Sequence, residues 1–133
     1  MKVLLINGSP RKKGNTSIAL SEMEKVFAEE NIEFTRVDIG SEAIRGCIDC
    51  QRCFTLGKCV FEDSVNKTAA LFEEADGLVV ASPVYYGQAN GSLVSFLQRL
   101  FRVSRFDKTM KVGCAVGVAR RGGLTATYDE LNK

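Results

Sequence analysis

Four cysteines crowd into one stretch of the chain, spaced Cys47-x2-Cys50-x2-Cys53-x5-Cys59. Thiolates separated by two residues can turn toward one point, each close enough to bind a different iron of one cubane. Cys59, beyond the flexible Gly57, can return as the fourth ligand. Ferredoxin-type [4Fe–4S] sites open with the same spacing. Zinc in a tetrahedral four-thiolate site competes, although such sites more often use two separated C-x2-C pairs. The sequence holds no histidine. Every ligand here is therefore sulfur, and any acid–base step must use another kind of group. The fifth cysteine, Cys114, lies in an apolar run and is expected to be a small buried core residue.

A second constellation opens the chain. The apolar run Val3–Ile6 stops abruptly at Asn7-Gly8-Ser9-Pro10, and Asn15-Thr16 can cap a helix with apolar positions Ala19, Met23, Val26 and Phe27. A strand, a polar loop and a helix start present free N–H groups and the positive end of a helix dipole to one point. Ser9, Thr16 and Ser17 add hydroxyl donors and Arg11 a fixed cation. Those groups suit a phosphate monoester. Neither G-x-x-x-x-G-K-[ST] nor G-x-G-x-x-G occurs, which excludes the nucleotide-hydrolase and dinucleotide loops.

The elements that must position these residues alternate in type. Strands are expected at Lys2–Ile6, Glu33–Ile39 (polar, hence near an edge), Gly77–Ser82 (ended by Pro83) and Lys111–Val118. Helices are expected from Asn15, over Asp63–Glu74, over the stripe Leu93, Phe96, Leu97, Leu100, Phe101, and from Leu124 onward. Residues 40–62 form a long irregular insertion around the cysteines. Alternating strands and helices imply an α/β fold, a parallel sheet covered on both faces, in one domain over residues 1–133.

The loops after strands one, three and four then share one crevice at the carboxyl ends of the sheet. The second of these, residues 83–91, offers Tyr85 and Tyr86 with two glycines to a flat ring, one of the tyrosines being expected to pack at the loop base. The third, with Arg120, Arg121, Gly122 and Gly123, could donate N–H groups to ring carbonyls. A phosphate at one end and a planar heteroaromatic at the other describes flavin mononucleotide (FMN).

At 133 residues, with 18 basic and 16 acidic side chains, the formal charge of +2 argues for no nucleic-acid partner. No apolar run reaches the ~20 residues of a membrane helix, and the start shows no signal-peptide pattern, so a cytoplasmic protein is expected.

The motifs GSPRKKGNTS (8–17) and SPVYYGQANGSL (82–93) resemble the NAD(P)H-dependent FMN reductase family of flavodoxin-like proteins, and the cysteine run resembles its iron–sulfur flavoprotein branch. The resemblance implies a three-layer fold with strand order 2-1-3-4. It implies FMN phosphate held by Ser9, Arg11, Asn15, Thr16 and Ser17. Pro83, Val84, Tyr85, Tyr86 and Gly87 would lie along the ribityl chain and ring, with Ala119, Arg120, Arg121, Gly122 and Gly123 over the pyrimidine side. Cys47, Cys50, Cys53 and Cys59 would hold the [4Fe–4S] cluster, although relatives can carry similar cysteines as reduced thiols. NAD(P)H would be the co-substrate, and a flavin, a quinone or a one-electron acceptor, small molecule or redox protein, would take the electrons. A non-enzymatic electron carrier is the alternative, and its usual acidity sits poorly with +2. Family members continue into a fifth strand, which is expected to be missing here. The fourth strand is then an open edge, and self-association as a homodimer or homotetramer is expected, or else further native residues.

Overall fold

The fold is taken from a computed structural model that describes all residues from Met1 to Lys133. In chain order the elements are β1 (Lys2–Asn7), α1 (Asn15–Glu29), β2 (Glu33–Asp38), α2 (Cys53–Leu56), α3 (Ser64–Glu74), β3 (Gly77–Tyr85), β4 (Gln88–Ala89), α4 (Gly91–Val103), β5 (Val112–Val118) and α5 (Leu124–Leu131). Strands β2, β1, β3 and β5 lie side by side and parallel, the flavodoxin-like order expected. The fifth strand is β4, which pairs antiparallel with the end of β3 and adds nothing to the far side of β5.

Alternation along the central strands divides the core between two faces. Val3, Leu5, Val79 and Ala81 face α1, where Leu20 is buried and Met23 and Phe27 pack partly. Leu4, Ile6, Leu78 and Val80 face α3 and α4 through Val65, Phe72, Leu93, Phe96, Leu100 and Val103. Such side chains contribute ~1.5–3 kcal/mol each when fully buried. The helix stripes shift slightly from expectation: Val26 is about half exposed, Phe101 is partly exposed while its ring meets Phe72 edge-on, and Arg99 takes a buried place on α4.

Two expectations are corrected. Strand β3 runs through Pro83 to Tyr85. Pairing with β1 ends at Ala81, so at Pro83 only β5 is a neighbour and one side of the strand asks for no N–H. Cys114 is exposed rather than buried. Strand β5 pairs only with β3, and its first half, Val112 to Cys114, is exposed. No helix is long and apolar enough to cross a membrane.

Candidate functional site

Helix α1 begins without a side-chain cap. Its N-cap residue is Gly14 and not Asn15 or Thr16, so no side chain occupies the donors of its first turn. The loop in front is braced from behind by Asn7, which is fully buried at the end of β1. Asn7 Nδ2 donates to Ser17 Oγ (3.1 Å) and Asp38 Oδ1 (2.6 Å), and its Oδ1 accepts from the Ser9 amide (3.0 Å). Ser17 Oγ in turn donates to the Arg11 carbonyl (3.2 Å). Its hydroxyl is a strut of the loop, turned away from the opening. Ser9 Oγ accepts from the Arg11 amide (3.2 Å), which leaves its proton for a ligand. Gly40 backs the same turn: a Cβ there would lie 2.2 Å from the Ser9 carbonyl carbon.

Asn90 ties this loop to β3 and α4. Its Nδ2 donates to the Gly8 carbonyl (2.8 Å), its Oδ1 accepts from Ser92 at the start of α4 (2.8 Å), and its amide donates to Ser82 Oγ (2.9 Å). Beyond Ser82 the chain turns back in a hairpin. Tyr86 and Gly87 both have positive φ, 51° and 80°, the requirement of a two-residue type I′ turn. Gly123, at φ 92°, touches this hairpin, since a Cβ there would lie 2.7 Å from Gly87 Cα and 2.9 Å from Val84 Cγ1.

The result is an open cleft of about 720 Å³ at the carboxyl ends of β1, β3 and β5. Ser9, Arg11, Asn15, Thr16, Pro83, Val84, Tyr85, Ala119 and Arg120 line it, all expected from sequence, together with Lys13, Gly14 and Val118, which were not. Ser17, Tyr86, Gly87, Arg121, Gly122 and Gly123 stand outside its walls. Of the two tyrosines Tyr85 faces the cleft, and neither packs at the loop base: Tyr85 is half exposed and Tyr86 fully so. One wall is thus a cradle of free helix N–H groups with Ser9, Arg11 and Lys13, fit for a phosphate. The other is apolar strand backbone with one aromatic ring, fit for a flat ligand.

The four clustered cysteines line one narrow pocket, about 20 Å³, between the 40–62 segment and α4. Cys47 and Cys50 are exposed at its rim, Cys59 is partly covered and Cys53 is buried. No three ligating side chains converge closely enough to hold a single ion. Cys59 is fixed by Asn66 on both sides of its backbone: its amide donates to Asn66 Oδ1 (2.8 Å) and its carbonyl accepts from Asn66 Nδ2 (3.1 Å). Arg99, 1% exposed, closes the floor of the pocket and pairs with Asp63 at 2.5 Å. Burial pulls the Arg99 pKa down, but hydrogen bonds to Asp63 and Cys59 outweigh it and hold the guanidinium above its ordinary value. Arg99 lies on the face of α4 that the structure buries, with Leu93, Phe96, Leu100 and Val103, but off the stripe read from the sequence, so no local pattern singled it out.

Over residues 1–133 the chain matches the NADPH-dependent FMN reductase family. The chain belongs to that family. It is 36% identical to an iron–sulfur flavoprotein of Methanocaldococcus jannaschii, over 99% of this chain and 70% of that protein. It is 33% identical to an iron–sulfur flavoprotein of Methanosarcina thermophila, over 99% and 71%. Among solved structures, RosB with bound 8-demethyl-8-formylriboflavin-5′-phosphate superposes with a TM-score of 0.75 at 18% identity, covering 97% of this chain and 56% of that one. The apo form of an NADH:FMN oxidoreductase superposes at 0.66 and 19% identity, over 96% and 63%. Both structures share this fold, and this chain spans little more than half of their length.

Proposed function

We propose that this family member is an FMN-dependent oxidoreductase domain that takes hydride from NAD(P)H and passes electrons to a flavin, a quinone or a one-electron acceptor. The observation that carries this reading is the cleft itself, with an uncapped helix N-terminus at one end and Pro83, Val84 and Tyr85 beside Ala119 and Arg120 at the other. The α1 amides, Ser9 Oγ, Thr16 and Arg11 bind the phosphate, and Lys13 adds a second cation. Residues 83–85 lie along the ring, and the 119–123 loop, held against the hairpin by Gly123, limits water on its other side. Bound there, FMN supplies the hydride and electron chemistry while the protein supplies position and electrostatics. No side chain is asked for a proton at the nicotinamide carbon, in keeping with a sequence free of histidine.

Cys47, Cys50, Cys53 and Cys59 are proposed to hold a [4Fe–4S] cluster that supplies one-electron transfer. Thiolates on one zinc lie about 3.8 Å apart, whereas in a cubane each binds a different iron. The evenly spaced Cys47-x2-Cys50-x2-Cys53 start, with all four thiols around one pocket, favours the cluster over zinc. Anaerobic purification followed by an ultraviolet–visible spectrum, iron and sulfide analysis, and NAD(P)H oxidation with an artificial acceptor tests both parts. Flavin and cluster bands with turnover are expected. Protein that binds neither, or binds both without oxidising NAD(P)H, overturns the enzymatic reading.

A further inference from the structure

Arg99 is buried, and a buried guanidinium must place all its N–H groups. Asp63 takes a bidentate pair, Nη1 at 2.5 Å and Nη2 at 2.9 Å. The Arg45 carbonyl accepts from Nη1 at 3.3 Å and the Phe61 carbonyl from Nη2 at 3.5 Å. Nε donates to Cys59 Sγ at 3.4 Å, and Nη2, whose two hydrogens serve three acceptors, reaches the same sulfur at 3.3 Å. A salt bridge with Asp63 alone would not need that second set. A neutral thiol is a weak acceptor, whereas a thiolate is a charged one, for which the rigid fork of arginine is suited and the point charge of lysine is not. The other three cysteines lack such a partner. Cys47 Sγ accepts only from the Asp49 amide (3.4 Å), and Cys53 Sγ donates to the Arg102 carbonyl (3.9 Å). Cys59 is therefore the one sulfur of the four held from both its backbone, by Asn66, and its side chain, by Arg99.

We propose that Arg99 is a positioning residue for the cysteine site: through Nε–H and Nη2–H it orients Cys59 Sγ toward the cluster and raises the reduction potential of the cluster held there. The role presupposes the cluster proposed above. Hydrogen bonds to ligating sulfur and local positive charge favour the more negative, reduced state, which is the direction of the shift. Asp63 offsets the charge of Arg99 as a whole, so the effect falls on the two N–H groups aimed at sulfur.

The test compares the anaerobically purified parent with R99K, and with the charge-neutral pair R99M/D63N in case R99K fails to fold. Iron and acid-labile sulfide are counted first, and the cluster's midpoint potential is then measured by redox titration with electron paramagnetic resonance. Both variants are expected to become harder to reduce by about tenfold or more in the one-electron equilibrium, or about 59 mV. Variants that hold as much iron as the parent at an unchanged potential overturn the role of Arg99 and leave the cluster standing. A parent without iron and sulfide overturns the cluster and the role together. If Arg99 served only as a buried partner of Asp63, R99K would lose stability while its potential stayed in place.

Discussion

The Asn7→Asp variant tests whether the phosphate loop is held from behind as the structure shows. N7D keeps the shape of the side chain and the acceptor for the Ser9 amide. It replaces Nδ2, which donates to Asp38 Oδ1 at 2.6 Å, with an oxygen. Two carboxylate oxygens at that separation need a shared proton, and the site is fully buried on the Asn7 side. Burial and like charge both raise the folded-state pKa of the introduced carboxyl. The Asp38 side chain is 52% exposed and also accepts from Arg36 Nε at 3.1 Å, so solvent screening tempers the repulsion. A rise of about two units, at 1.36 kcal/mol each, corresponds to ~2.7 kcal/mol of lost stability near neutral pH. The folded pKa lies above the unfolded one, so the loss is full above the raised pKa and fades as pH falls toward the unfolded value. At about pH 4.5 it shrinks to ~1 kcal/mol. Urea unfolding of parent and N7D at about pH 4.5 and 8 reads this directly. A pH-independent difference, or none at the higher pH, would show that Asn7 is no strut.

Replacing any one of Cys47, Cys50, Cys53 or Cys59 by serine should remove most of the bound iron, while C114S leaves it unchanged, because Cys114 stands exposed on β5 outside the pocket; metal analysis decides, and zinc without labile sulfide would favour the four-thiolate zinc site. Y86N should stabilise the fold by ~0.5–1 kcal/mol, since Tyr86 holds φ 51° with a fully exposed ring and Asn-Gly is the favoured type I′ pair; a lowered unfolding midpoint would sink this. The 133-residue chain is expected to self-associate through β5, whose outer edge has no neighbour; sedimentation showing a stable monomer at about 10–100 μM would refute it.

Much of this fold could be read from the sequence because β1, β3 and β5 are apolar runs and α1, α3 and α4 carry a helical period. Pro83 misled, because a proline interrupts a strand only where a neighbouring strand needs its N–H, and the loss of β1 as a neighbour beyond Ala81 is a tertiary fact. Cys114 misled in the opposite sense. An apolar run states what a segment would prefer to bury, but the first half of β5 stays exposed. At the cleft, residue types announced the phosphate loop, yet they could not separate Ser9, whose proton is free, from Ser17, whose hydroxyl is spent inside the loop. Asn7 and Asn90 were not singled out at all. Their roles come from contacts such as Asn90 to Gly8, 82 positions apart, which no local pattern encodes. Arg99 lay off the apolar stripe read from the sequence, and its burial and pairing with Cys59 arise only when α4 meets the cysteine segment.

The central claim is that the α1 N-terminus and the loop from Ser9 to Thr16 bind the phosphate of FMN. Equilibrium titration of the purified chain with FMN and, in parallel, with riboflavin, followed by flavin fluorescence, tests it most directly. Charge-assisted hydrogen bonds of ~1.5–3 kcal/mol each and about tenfold in affinity per 1.4 kcal/mol predict that FMN binds at least tenfold more tightly than riboflavin, an advantage that R11A should reduce. Equal affinity for the two flavins would contradict it.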